Sequence, residues 1–284
     1  MESRGIVFTA GGPVYFLNAY INVCLLRELG CTLPVEWFYL GAEMRPEWIE
    51  AAGAVSGVRL RNLGGDRAVN TKDGGGWQSK IEAILQSDFA DVLFLDADCF
   101  PLRDPAYLFD HAFFRGTGAV LWPDPYCWSA SGRRHLKELY GVDVPARQVE
   151  SGQMMFNKGQ CLEGLLRVQA LNRDSAGTYR HVYGDKDTFL IGLLQAGAAF
   201  RVNPHPVEGI QGGMLQKDFE GAGMFCHLTG GKFQWHGRPF VKRRDYPHAD
   251  RAAAIVQAAQ RAGLGGGRRP ATSVAECEVT HGIE

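Results

Sequence analysis

The stretch that decides the fold is Asp91-Val92-Leu93-Phe94-Leu95-Asp96-Ala97-Asp98. Its short apolar run ends on two aspartates, which is typical of a strand buried on both faces of a parallel sheet. In an extended chain, residues i and i+2 face the same side, about 7 Å apart at the backbone. Asp96 and Asp98 are therefore able to close on one hard cation, Mg²⁺ or Mn²⁺. The alternative is a strand-end turn with two solvated aspartates.

Apolar strands alternate with helices on both sides of this stretch. Strands are predicted at residues 5–10, 35–40, 58–60, 118–122, 148–157 and 225–228. Helices are predicted at residues 15–29, 46–52, 77–85, 160–172, 187–195 and 250–262. This alternation predicts an α/β fold, one domain over residues 1–262 with a mostly parallel sheet flanked by helices. Residues 64–76, rich in glycine and charge, are predicted to form a mobile loop, and residues 263–284 a disordered C-terminal tail.

The composition excludes several classes of protein. The 284 residues carry 30 Lys and Arg against 31 Asp and Glu, a net charge of −1, which argues against binding of nucleic acid by bulk charge. No run of eighteen apolar residues occurs, so no membrane span is predicted. Seven cysteines without a C-x-x-C pair favour buried reduced thiols over a zinc site or disulfides. The start of the chain shows no secretory-signal pattern, and we expect a cytoplasmic protein.

Several motifs resemble one family in the order in which they occur. Residues 95–105, Leu95-Asp96-Ala97-Asp98-Cys99-Phe100-Pro101-Leu102-Arg103-Asp104-Pro105, resemble the D-x-D segment of GT-A (Rossmann-like) glycosyltransferases, most closely that of the fungal α-mannosyltransferase family and its bacterial relatives. Further elements of that pattern are Trp77-Gln78-Ser79-Lys80, Glu150-Ser151-Gly152-Gln153 and Gly184-Asp185-Lys186-Asp187-Thr188-Phe189. His227-Leu228-Thr229-Gly230-Gly231-Lys232 resembles the His-x-x-Gly-x-Lys element of glycogenin-like retaining glycosyltransferases. The resemblance spans residues 5–235.

This resemblance implies a metal-dependent hexosyltransferase that moves a sugar from a UDP- or GDP-sugar to an acceptor hydroxyl with retention. It implies that Asp96, Asp98 and His227 ligate Mn²⁺ or Mg²⁺, with the imidazole favouring Mn²⁺. Residues expected to contact the nucleotide-sugar are Thr9, Ala10, Gly11, Lys80, Asp96, Ala97, Gly230 and Lys232. The acceptor, a glycan, a protein or a small molecule, is not specified by the motifs. No Walker A or G-x-G-x-x-G pattern suggests another nucleotide site.

The sugar side of the site is expected to use Gln153, Asp185 and Asp187 as catalytic residues. Carboxylates and amides orient hexose hydroxyls by hydrogen bonds, and Gly152 in an extended run indicates close approach of a ligand or another backbone. Lys186 stands where the related element of retaining enzymes has Gln. Further aromatic candidates for stacking on sugar or base are Trp122, Tyr126, Trp128 and Trp235.

Other interpretations remain open at this stage. Asp185 or Asp187 is also explained as a helix cap, His227 as a core histidine, and Lys80 as a solvated lysine. Asp96 and Asp98 also resemble the nucleophile strand of haloacid-dehalogenase-like phosphatases, although Phe100 departs from that pattern. A third possibility is a non-catalytic protein that binds a nucleotide-sugar. Three outcomes distinguish these interpretations. Release of nucleoside diphosphate from a sugar donor supports a transferase, release of phosphate from a phosphomonoester supports a phosphatase, and release of neither supports a binding protein.

Overall fold

The computed structural model describes residues 3–64, 76–236 and 246–265. The strands are β1 Arg4–Thr9, β2 Val35–Tyr39, β3 Val58–Asn62, β4 Asp91–Asp96, β5 Cys99–Pro101, β6 Ala119–Cys127, β7 Arg147–Asn157, β8 Phe200–Val202, β9 Glu208–Ile210, β10 Gly213–Lys217 and β11 Gly223–His227. The helices are α1 Gly12–Glu28, α2 Pro46–Gly53, α3 Ser79–Gln86, α4 Ala112–Arg115, α5 Ala130–Tyr140, α6 Lys158–Arg173, α7 Ser175–Thr178, α8 Lys186–Gln195 and α9 Ala249–Arg261, with a 3₁₀ helix at Ala106–Asp110.

The main sheet has seven strands in the order β3-β2-β1-β4-β7-β6-β8. β7 runs antiparallel to both of its neighbours, and the other neighbouring pairs are parallel. The predicted α/β class with a mostly parallel sheet is therefore confirmed. A second, antiparallel sheet in the order β5-β11-β10-β9 was not predicted, because its strands are only three to five residues long.

β4 lies in the middle of the main sheet and is buried on both faces. Leu93 and Leu95 pack into the apolar cluster that includes Phe16 of α1. Val92 and Phe94 face the opposite cluster, with apolar residues of α3, α6 and α8. Alternate side chains of a strand point to opposite faces, so a continuous apolar run requires helices on both sides of the sheet. This arrangement is what the sequence of β4 predicted.

Strand direction brings several strand ends to one edge of the sheet. Thr9 at the end of β1 pairs in register with Asp96 at the end of β4. Because β7 runs in the opposite direction, its first half lies at this edge: Leu95 pairs with Gln153, and Glu150 precedes that pair. β6 returns antiparallel to β7, so its second half, which contains Asp124, lies at the same edge. Ligands of open α/β sheets bind outside the carboxyl ends of the strands.

Most predicted elements are present, with shifted ends. α1 begins at Gly12 rather than Tyr15, because Pro13 is well suited to the first turn of a helix. α5 was not predicted, since Leu136 is its only buried residue and most of its other residues are polar. The predicted mobile loop and disordered tail fall largely on residues 65–75 and 266–284, which lie outside the described residues. Within the three described ranges, no helix is both long and apolar enough to cross a membrane.

Candidate functional site

A cavity of about 770 Å³ lies at this edge of the main sheet. One end is lined by Thr9, Ala10 and Gly11, which follow β1, together with Phe38 and Tyr39 of β2. The centre is lined by residues 96–98 after β4 and by His227 at the end of β11. The other end is lined by residues of β6, the start of β7 and the start of α8. The order of strands in the sheet therefore fixes the order of side chains along the cavity.

Asp96, Asp98 and His227 form a cluster at the centre of the cavity, and one potential ligand atom from each lies within 4.8 Å of the others. His227 Nε2 is 3.4 Å from Asp98 Oδ1 and 3.8 Å from Asp96 Oδ2. β11 pairs with β5 so that His227 lies opposite Cys99, which brings the imidazole to the turn after β4. Two carboxylates and an imidazole are a donor set that Mn²⁺ or Mg²⁺ accepts. The three residues predicted as metal ligands are thus brought together.

The charges of this cluster are strongly coupled. Burial raises the pKa of Asp96 to about 6, although Lys80 opposes the shift. For Asp98 burial acts in the same direction, but His227 and Lys232 hold its pKa well below the usual range. Burial would lower the pKa of His227, yet Asp98 and Glu150 raise it to about 10. Two carboxylates this close resist double ionisation, so a bound divalent cation would relieve their repulsion.

Glu150 and Gly152 contact the imidazole of His227 on its Nδ1 side. Glu150 Oε1 is 3.3 Å from His227 Nδ1 and accepts the backbone N–H groups of Ser151 and Gly152. A Cβ atom at Gly152 would overlap the His227 ring, so only glycine fits this position. The close approach predicted at Gly152 is therefore made by a side chain. A carboxylate on the second ring nitrogen leaves Nε2 directed at the aspartates.

Two lysines form ion pairs with the aspartates, Lys80 with Asp96 and Lys232 with Asp98. Lys80 Nζ lies 2.9 Å from Asp96 Oδ2 and 3.1 Å from Asp185 Oδ2. Lys80 is only 6% exposed, so its interpretation as a solvated lysine is wrong. Burial would lower the pKa of Lys80, but Asp185 and Asp96 raise it above the ordinary lysine value. Lys232 Nζ lies 2.7 Å from Asp98 Oδ2 and is more exposed, which leaves it closer to an incoming anion.

Most of the predicted site residues line the cavity, including Thr9, Ala10, Gly11, Lys80, Ala97, Asp185 and Lys232. Three predicted site residues do not line it: Gln153, Asp187 and Gly230. Gln153 lies under the site, where its Oε1 accepts the Cys99 thiol at 3.2 Å. Asp187 is 1% exposed, and its Oδ2 accepts the Tyr183 N–H at 3.3 Å. Burial raises the pKa of Asp187 to about 7. The structure therefore gives no support to direct catalysis by Gln153 or Asp187.

Gly230 requires a further correction. This residue was expected to contact the nucleotide-sugar, but it does not line the cavity, and its N–H donates to Gly212 O at 2.9 Å. The neighbouring Gly231 N–H donates to Leu228 O at 3.3 Å. Both amides thus form the turn that carries Lys232, and the anion-facing group of this element is the lysine ammonium.

The sequence missed a second group of polar residues at the far end of the cavity. Lys186 Nζ lies 2.8 Å from Asp124 Oδ2 and 2.7 Å from Gln148 Oε1. The strand at residues 118–122 was predicted to end at Trp122, and Asp124 lies two residues further along the chain. A carboxylate just after a predicted strand is the pattern that identified Asp96, so the sequence contained the same signal at Asp124. Of the four aromatic candidates, Tyr126 lines the cavity, whereas Trp122 is fully buried in the core.

The chain is similar to known mannosyltransferases over most of its length. The model of a mannosyltransferase family matches residues 3–144 and 131–228. An alpha-1,2-mannosyltransferase of Candida albicans is 28% identical over 78% of this chain and 42% of its own length. One of Saccharomyces cerevisiae is 25% identical over 78% of this chain and 45% of its own. The chain thus spans less than half the length of these curated relatives.

Among solved structures, the galactosyltransferase LgtC, crystallised with donor and acceptor sugar analogs, superposes with a TM-score of 0.50. The match covers 69% of this chain and 72% of LgtC at 16% sequence identity, so it supports the fold alone. LgtC has the GT-A fold that the D-x-D resemblance predicted. The phosphatase alternative loses its basis, because the matched family covers the segment with both aspartates. The chain belongs to this mannosyltransferase family and has the GT-A fold.

Proposed function

We propose that the protein transfers a hexosyl group, with mannosyl as the first candidate, from a nucleotide-sugar to an acceptor hydroxyl in a metal-dependent reaction. The observation that carries this proposal is the cluster of Asp96, Asp98 and His227 beside Lys232, inside a cavity at the carboxyl edge of the sheet. The family assignment and the alpha-1,2-mannosyltransferase relatives support mannose as the sugar.

The layout of the cavity suggests how the donor lies. Thr9, Ala10 and Gly11 line the end next to β2, where a nucleoside fits beside Phe38 and Tyr39. A diphosphate then reaches the centre, within range of Lys232. The hexosyl group extends towards Glu150 and Asp185, whose carboxylates accept hydrogen bonds from sugar hydroxyls.

Bond cleavage leaves growing negative charge on the diphosphate. Asp96, Asp98 and His227 would hold a divalent cation, which would supply electrostatic stabilisation of that leaving group. Lys232 adds a second positive charge and is held 2.7 Å from Asp98 Oδ2 before the donor arrives. Lys80 keeps Asp96 and Asp185 at a fixed separation, because its ammonium binds both carboxylates. A preorganised set of charges of this kind costs little reorganisation during the reaction.

Retention of the anomeric configuration is part of this proposal. It is supported by the similarity of Asp185-Lys186-Asp187 and His227-Leu228-Thr229-Gly230-Gly231-Lys232 to elements of retaining enzymes. The test is the one-bond carbon–proton coupling at the anomeric carbon of the purified product, compared by NMR with that of the donor. A product of opposite configuration contradicts retention without affecting the rest of the proposal.

A donor screen tests the proposed function. UDP-, GDP- and other nucleotide-sugars are incubated with the protein and Mn²⁺, and released nucleoside diphosphate is measured. We expect one donor, GDP-mannose first, to be turned over, EDTA to abolish turnover and added Mn²⁺ to restore it. Full turnover in metal-free buffer would contradict metal dependence, and no release from any donor would contradict nucleotide-sugar transfer.

A further inference from the structure

Two asparagines lie in the middle of α1 and are shielded from solvent. Asn18 and Asn22 are both 0% exposed and lie among buried apolar residues of the same helix. Asparagine is a poor residue for a helix interior, because its side chain forms hydrogen bonds that compete with the helix. A buried amide also loses its hydrogen bonds to water, which costs free energy unless protein groups replace them. The two positions are therefore explained by what their amides bind.

Asn22 binds the turn between β4 and β5. Its Nδ2 donates to Cys99 O at 2.7 Å and to Ala97 O at 3.4 Å. These carbonyls belong to the residues on either side of Asp98, so the two bonds fix the backbone from which that carboxylate extends. The Oδ1 of Asn22 accepts no hydrogen bond from the described residues. An apolar side chain would avoid that cost, so the two donated bonds are what asparagine adds at this position.

Asn18 binds a different segment, the one that carries Lys232. Its Oδ1 accepts the Phe233 N–H at 3.0 Å, and its Nδ2 donates to Phe233 O at 3.0 Å. Nδ2 also donates to Val14 O at 2.8 Å. Phe233 is thus held by both of its backbone polar groups. Lys232 immediately precedes it, and its Nζ lies 2.7 Å from Asp98 Oδ2.

The two asparagines are four residues apart, which places them on one face of α1. Side chains with this spacing have Cβ atoms roughly 6 Å apart. One amide therefore meets the turn that carries Asp98, and the other meets the segment that carries Lys232. These two segments also contact each other, since the Leu228 N–H donates to Asp98 O at 2.9 Å. A further bond from Trp235 Nε1 to Pro13 O, at 2.9 Å, ties the second segment to the start of α1.

We propose that Asn18 and Asn22 are positioning residues with separate tasks. Asn22 fixes the turn that carries the proposed metal ligand Asp98, whereas Asn18 fixes the segment that carries Lys232. This inference rests on the proposed function, because it takes Lys232 as a contact of the donor diphosphate. Neither asparagine lines the cavity. Each acts by holding one charge where its ligand arrives, which reduces the reorganisation needed on binding.

Alanine variants test this division of tasks. For Asn22→Ala we expect Mn²⁺ affinity, read from the EPR signal of free Mn²⁺, to fall about tenfold, because the turn with Asp98 is no longer fixed. For Asn18→Ala, Mn²⁺ affinity should not fall. Its affinity at saturating Mn²⁺ for GDP or UDP, whichever the wild type binds more tightly, should fall about fivefold. The two variants remove the same group from neighbouring turns of one helix, so each is a control for the other.

Asn203→Ala is a further control, for loss of stability alone. Asn203 is 2% exposed, and its Nδ2 donates to Lys217 O at 2.9 Å and to Asp218 O at 3.2 Å. Lys217 lies at the end of β10 that pairs with Gly223, away from His227. This variant should lower the melting temperature and leave both affinities at the wild-type value. A merely structural role for the two asparagines of α1 predicts the same result for their variants.

A double-mutant cycle tests whether Asn18 acts through Lys232. In a Lys232→Ala background, Asn18→Ala should cause no further loss of nucleoside diphosphate affinity, because the group that it positions is absent. Additive losses would contradict the proposal, as would an equal fall of Mn²⁺ affinity in Asn18→Ala and Asn22→Ala. If an alanine variant does not fold, serine takes its place. A serine hydroxyl bonds the helix's own carbonyl four residues earlier and does not reach the neighbouring segment.

Failure of this proposal is distinguishable from failure of the proposed function. If the wild type binds Mn²⁺ and nucleoside diphosphate but both α1 variants behave like Asn203→Ala, the positioning roles are overturned and the proposed function stands. If the wild type binds neither Mn²⁺ nor nucleoside diphosphate, the proposed function is contradicted, and the positioning roles with it.

Discussion

The two ends of the cavity are built in different ways. At the donor end, Asp96 and Asp98 lie two residues apart on one chain segment, and the segment's own apolar strand places them. At the far end, Asp124 and Lys186 come from β6 and α8 and meet only when the sheet is complete. A site made from one strand end is visible in the sequence, whereas a site made from separate elements is visible only in the fold.

The largest expected effect is at the donor end. Asp98→Ala removes one proposed metal ligand and the carboxylate partner of Lys232. We expect kcat/KM to fall at least about a hundredfold, because a cation that offsets leaving-group charge contributes several kcal/mol. Asp143→Ala, at an exposed carboxylate paired with Lys137, is the control and should keep wild-type activity. Wild-type turnover in Asp98→Ala would make the second aspartate structural.

Gly152→Ala tests whether Mn²⁺ binding depends on the position of the His227 imidazole. The added methyl group overlaps the His227 ring, so the imidazole must move away from the aspartates. We expect Mn²⁺ affinity, read from the EPR signal of free Mn²⁺, to fall about tenfold or more. Gly209→Ala is the control, since no heavy atom lies within 4 Å of its added Cβ. Equal Mn²⁺ affinity in the two variants would show that His227 is not a ligand.

A comparison of two lysines separates the two ends directly. Lys232→Ala removes a cation beside the proposed diphosphate position, and we expect nucleoside diphosphate affinity with Mn²⁺ to fall about tenfold in calorimetric titrations. Lys186→Gln should leave that affinity close to wild type, because its partners are Asp124 and Gln148. Similar losses in both variants would mean that the nucleotide extends across the whole cavity.

The smallest effect is one of stability. The pKa of Asp187 is raised to about 7 by burial, above the value of a solvated aspartate. Its contribution to stability is therefore fully present below about pH 4 and is lost as the pH rises through 7. Asp187→Asn should stabilise the protein by about 1 kcal/mol at pH 8 relative to pH 6, measured by urea unfolding at both values. If the free energy of unfolding of Asp187→Asn depended on pH as that of the wild type does, a group other than Asp187 would be responsible for the pH dependence.

Sequence reasoning succeeded where a local pattern determines a local structure. The apolar run of β4 predicted both the parallel sheet and the position of Asp96, and a short motif placed His227 beside it. The same reasoning failed at Gly230, whose N–H is used by Gly212 across a turn that no local pattern indicates. It also ended β6 at Trp122, because prolines on both sides of Asp124 are unusual inside a strand.

β6 continues past these prolines because its pairing with β7 is irregular there. The register shifts between Leu121 and Trp122 and again between Pro123 and Cys127. A bulged pairing tolerates a residue that has no N–H to donate, and it redirects the side chains that follow. Asp124 was missed because the prolines on either side of it suggested a loop outside the sheet, although a carboxylate just after a predicted strand is the signal that identified Asp96.

The pairing of β11 with β5 has a consequence for folding kinetics. His227 is brought to the aspartates by its register with Cys99, which lies far earlier in the chain. Contacts of such high sequence separation form slowly, because a long loop must close before they are made. A chain that has formed only β1 to β4 carries both aspartates but lacks the imidazole. Tight Mn²⁺ binding during refolding would therefore report the last stage of assembly rather than the formation of the sheet.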